Sequence, residues 1–96
     1  MAIIDEAKTW VRVTTNDSAI VEEISMLVDA AILDLTKTAD IADVDREDLP
    51  PIIKLAVRSY VQAYWTRNVD EQAKYLVIYD GLKAKLATSS AYNIRN

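Results

Sequence analysis

The chain has 96 residues, 51% apolar and 27% charged, with one Gly, two Pro, no Cys and no His. That length makes one domain with an adequate core. The missing residue types exclude disulfides, thiol chemistry, Cys/His zinc sites and His-based catalysis.

Net charge is −4, unevenly spread: residues 1–49 carry −8 and residues 50–96 carry +4. Such halves predict that the acidic part of one copy meets the basic part of the next, which fixes register more than it adds affinity. The scarcity of turn residues, with Ala, Leu, Ile, Lys, Glu and Asp between breakers, predicts an all-α domain over 1–96. No basic segment followed by an apolar run opens the chain, so no signal peptide is expected. No apolar run approaches the roughly 18 residues of a membrane span. A cytoplasmic origin without a membrane partner is the expectation.

Residues 2–12 place Ile3, Ile4, Ala7, Trp10 and Val11 at helical spacing, a short helix that must dock through Trp10. Asn16, Asp17 and Ser18 are candidate caps for the next helix, which runs to about Lys37. Ile20, Val21, Ile24, Leu27, Val28, Ala31, Ile32 and Leu35 form its core stripe. Met26 and Leu33, with Ala30, form a second small apolar stripe on the polar side, the mark of a partner. Residues 38–49 form an acidic connection pinned by Ile41 and Val44. As a calcium loop starting at Asp43 it fails, with Asp48 where Gly belongs and Lys54 where Glu belongs.

Leu49–Arg67, LPPIIKLAVRSYVQAYWTR, is the stretch around which the rest is organised. Its prolines suit a first turn. Ile52, Ile53, Ala56, Val57, Tyr60, Ala63 and Tyr64 share one face, at roughly 100° per residue. Leu55, Val61 and Trp65 lie off it, and Lys54, Arg58 and Gln62 form a polar strip. A helix apolar over most of its circumference is covered on several sides, by this chain or by another subunit. Asn68 and Glu71 then start a last helix with its stripe at Tyr75, Ile78, Tyr79, Leu82 and Leu86. Gly81 inside it marks a close contact or a bend. Residues 87–96 have no periodicity and read as a mobile tail, or as a strap that orders against a neighbour through Tyr92, Ile94 and Arg95.

No catalytic, cofactor-binding or metal-binding constellation stands out. The lone Gly81 cannot build a phosphate-cradling loop, and a helix-turn-helix reader would need a basic helix after a short turn. The surplus apolar and charged residues instead mark a subunit interface, with Met26, Leu33, Trp65, Lys83, Lys85, Tyr92 and Arg95 as candidates.

Three stretches together resemble the small helical head–tail connector proteins of tailed bacteriophages, also called DNA-packaging adaptors. IDEAKTWVRV (Ile4–Val13) is similar to the family's short first helix, NDSAIVEEISMLVDAAI (Asn16–Ile32) to its capped second helix, and LPPIIKLAVRSYVQAYWTRN (Leu49–Asn68) to its Pro-led helix ending in aromatics and Arg. The resemblance spans roughly residues 3–80. It implies a non-enzymatic virion protein, assembled in the bacterial host cytoplasm as a homo-oligomeric ring. The ring would join the portal protein to a tail-completion protein, with DNA passing through without sequence-specific binding. The competing expectation is a small helical regulator or interaction module, antitoxin-like or a dimeric adaptor.

Overall fold

Among the described residues four helices form where periodicity and caps place them: α1 (Ile3–Trp10), α2 (Ser18–Thr38), α3 (Pro51–Trp65) and α4 (Val69–Ala87). The computed structural model describes residues 2–39 and 41–88. The all-α, four-helix expectation is met. Of the three cap candidates before α2, Asp17 does the capping, accepting from the N–H groups of Ala19 and Ile20. Pro50 precedes α3 and Pro51 opens it, as a fixed φ and a missing N–H favour. Asn68 accepts from the Glu71 N–H at 3.0 Å. The Glu71 carboxylate turns instead to the Thr66 hydroxyl at 3.0 Å, so the reciprocal half of a capping box is absent here.

The end of α1 carries a feature that no residue type announces. Val13 N–H donates to the Lys8 carbonyl at 2.9 Å, and Arg12 N–H to the Thr9 carbonyl at 3.1 Å. This pair of bonds is a Schellman stop, in which the residue past the cap is left-handed and usually Gly. Here that residue is Arg12, with φ of 58°. A side chain in that region costs on the order of 1–2 kcal/mol.

α3 packs on both α2 and α4, and α1 lies across α2 and α3. α2 and α4 make little direct contact with one another, so they are the two outer walls with α3 between them. The core between these elements contains Ile3, Ala7, Ile24, Val28, Leu35, Ile53, Val57, Val61, Tyr79 and Leu86. The expected α2 stripe is the buried or half-buried one. On α3 the expected face needs one correction, at Tyr64, which is half exposed, and off-face Val61 is fully buried, as in a helix covered on several sides. Val61 lies two turns beyond Lys54, on the side where Lys54 Nζ meets Glu6 of α1 at 3.2 Å, so α1 covers a flank that the stripe omits. Tyr64 has the right helical angle but sits in the last turn, where its ring rests on Tyr60 with centroids 4.6 Å apart. Buried Ser59 donates its hydroxyl to the Leu55 carbonyl at 3.1 Å, which satisfies it within the helix. On α4, Tyr79 and Leu86 are buried while Ile78, assigned to the stripe, is exposed.

The acidic connection is held as expected by buried Ile41 and half-buried Val44. Its one base, Arg46, does more. Arg46 reaches Asp29 at 2.7 Å and the Ser25 hydroxyl at 3.1 Å on α2, and its Nε stands 3.4 Å from Glu47. Glu47 in turn accepts the Ile3 N–H at 2.7 Å. The loop is thereby tied to the start of α1 and to α2.

Candidate functional site

The interface residues read from sequence fall into four situations. Met26 and Leu33 are 70% and 55% exposed on α2, opposite the side that buries Ile24, Val28, Ala31 and Leu35. This Met and Leu, two turns apart on the solvent side of a helix, are left uncovered by the described residues. Lys85 is exposed and makes no ion pair among the described residues. Lys83 differs: its Nζ lies 3.2 Å from Asp34 of α2 and 5.2 Å from the centre of the Tyr79 ring. It therefore serves the fold before any partner. Tyr92 and Arg95, with Ile94, lie outside the described residues.

Trp65 is half-buried and packed against the core, and it walls two clefts. The first, about 330 Å³, lies where α1 ends against α3 and α4, lined among others by Trp10, Arg12, Arg58, Trp65, Glu71 and Tyr75. Gln62 braces its floor, donating to the Trp10 carbonyl at 3.2 Å. The second is formed by Glu23 of α2 with Tyr64 to Arg67 at the end of α3.

The stripe read from sequence leaves out Val77, which is 72% exposed on the solvent side of α4, while exposed Val69 and Ile78 lie about half a turn apart on either flank of it. Ala73, Gly81 and Ala84 are exposed on the same helix. No atom outside the local helix comes within 4 Å of a Cβ built at Gly81, so among the described residues no close contact is made there. The stripe read from sequence puts Ile78 in the core and leaves Val69 and Val77 out of it. Only the packing of α3 decides which side of α4 is inward.

A tyrosine cluster closes the seam between the outer walls. Tyr79 donates its hydroxyl to Asp34 at 2.5 Å, and its ring meets Tyr60 edge-on at 5.2 Å. Burial pushes the Tyr79 phenol well above its ordinary range, and the bond to Asp34 pushes it the same way. Tyr60 is raised too, first by burial and then by Tyr64 and Asp34. Phenols raised in this way keep their protons and stay available as hydrogen-bond donors across the seam. Among the described residues no three acids converge on one metal position, and no helix is long and apolar enough to cross a membrane.

What the described residues define is a small all-α fold with exposed apolar side chains on both α2 and α4. No protein-family model, curated protein or solved structure matches the chain.

Proposed function

We propose that this chain is a structural virion protein, a head–tail connector subunit that assembles into a ring between the capsid portal and the tail and extends the DNA channel. One observation carries the reading: both outer walls of the layer, α2 and α4, present unpartnered apolar side chains to solvent. Scattered exposed apolar residues are ordinary on a monomer. Exposed apolar groups on both α2 and α4 are less so, because each helix then offers a place for another surface. A subunit with different sticky walls joins front to back, and such heterologous joints close into rings when the rotation allows. The resemblance of the Ile4–Val13, Asn16–Ile32 and Leu49–Asn68 stretches to connector proteins supplies the biological setting. The role is mechanical, needs no cofactor, and lets DNA pass without reading it.

Negative-stain imaging of the purified protein, alone and mixed with a portal protein, tests this. Rings that seat on the portal are expected. Uniform small particles that ignore the portal would count against it, and a compact dimer that shifts a defined DNA would favour a regulator instead.

A further inference from the structure

The cleft at the end of α1 holds two cations without an ion pair among the described residues, beside one carboxylate, Glu71, that is turned to the Thr66 hydroxyl. Arg12 and Arg58 line it, and among the described residues neither guanidinium has a carboxylate partner. Three of the chain's other bases are spent internally: Arg46 on Asp29, Lys54 on Glu6 and Lys83 on Asp34. Arg12 is moreover held at φ of 58°, where Gly would be unstrained. Strained residues of this kind persist where the surroundings demand that side chain. Two free guanidiniums beside Trp65 and Tyr75 make a receptor for carboxylates carried on a partly apolar segment, since guanidinium and carboxylate match as bidentate partners.

The same chain presents such a segment. In the loop over residues 41–48, Asp43 and Asp48 are exposed, and no base among the described residues pairs with them. Between them stands half-buried Val44. This loop cannot reach its own cleft. Buried Ile41 and Leu49, Arg46 on Asp29 and Glu47 on the Ile3 N–H fasten it at the start of α1 and α3. The cleft lies at the end of α1, and Arg58 is already about 10 Å along α3 from Pro51.

We infer that the cleft receives the 41–48 loop of the neighbouring copy, Arg12 and Arg58 holding that copy's Asp43 and Asp48. The inference rests on the ring reading and gives it a polarity. Cleft and loop are different patches on one subunit, so the contact is head-to-tail. A carboxylate is favoured over nucleic-acid phosphate because the chain is acidic overall, with a pI near 4.7, whereas nucleic-acid binders carry a basic footprint.

The test is a charge swap read as oligomer mass by light scattering. R12E/R58E and D43R/D48R each set like charges against one another, and each is expected to run at the mass of a single chain. Combining all four changes in one chain restores complementarity and is expected to restore the wild-type mass, and mixing the two double variants is expected to raise the mass above that of a single chain. Circular dichroism and a thermal melt establish that each variant folds. Where one does not, R12Q/R58Q and D43N/D48N remove the charges without reversing them and are expected to lower the mass likewise. A wild type that assembles while the swaps keep its mass overturns the cleft assignment and leaves the ring reading intact. A wild type that stays a single chain even with portal present sinks the ring reading, and the inference with it. If Arg12 and Arg58 are required for a salt-dependent shift of duplex DNA and not for assembly, the occupant is phosphate and the inference is wrong.

Discussion

Lys83 and Asp34 stand 3.2 Å apart and tie the two outer walls together across α3. Sequence alone assigns Lys83, with Lys85, to a free basic surface. The structure separates them: Lys83 is engaged by its own chain and Lys85 is exposed. K83E therefore places a carboxylate against Asp34 and is expected to lower stability by about 1 kcal/mol. K85E is expected to leave the melting temperature within about a degree or two, as surface changes usually do. Parallel thermal melts decide it. Equal losses in both variants would mean that the Asp34 pair adds nothing to the fold.

Tyr79 gives the chain an alkaline limit. Its folded pKa is raised, first by burial and then by its bond to Asp34, while the unfolded phenol titrates near about 10. Above that pH the unfolded state has lost a proton that the folded state keeps. Stability is thus fully present below about pH 10 and falls as pH rises beyond it. Urea melts between pH 8 and 11 are expected to show this decline in the wild type and a shallower one in Y79F. An identical slope in Y79F would assign the decline to other groups, with Tyr60 first among them.

Gly81 sits inside α4 with open space where a Cβ would go. G81A should stabilise the isolated subunit by about 1 kcal/mol, because Ala loses less backbone entropy in a helix. That corresponds to a rise of roughly 4–8 °C for a domain of this size. If the neighbouring copy approaches α4 closely at this point, the same variant assembles less well while melting higher. A lower melting temperature would show that Gly81 meets something in the folded chain.

Arg12 is expected to separate stability from assembly. R12G relieves the left-handed side chain in the Schellman stop and should raise stability by about 0.5–1 kcal/mol, as Gly does at such positions. It also deletes one cation of the cleft, so the assembled fraction should fall. A thermal melt and a scattering mass on the same sample report both. Gains in both, or losses in both, would contradict the role given to this residue.

These particulars show how far the chain can be read before folding is considered. Helix limits are local: Pro50 and Pro51, Asp17, and Asn68 with Glu71 fix them through backbone chemistry a few residues long. The α2 stripe is equally local, because that helix is covered on one side. Val61 and Tyr64 escape such reading, since their burial depends on where α1 lies and on where the packing around α3 stops. Arg12 escapes it for another reason: its residue type argues against the turn it makes. The cleft is further still from local pattern. Arg12 comes from the turn after α1, Arg58 from α3 and Tyr75 from α4, and nothing in their spacing announces that they line one cleft. The exposed pair Met26 and Leu33 was legible because a polar helix side interrupted by two apolar residues is itself a periodic signal.

In the ring proposal, one copy leaves apolar walls for another to cover. Light scattering over a range of concentrations, on wild type and on M26E/L33E, decides this. The wild type is expected at a large multiple of 10.8 kDa, at high concentration or with portal present, and a folded M26E/L33E variant is expected to stay near the mass of one chain. A wild type that remains at the single-chain mass under every condition, portal included, would contradict it.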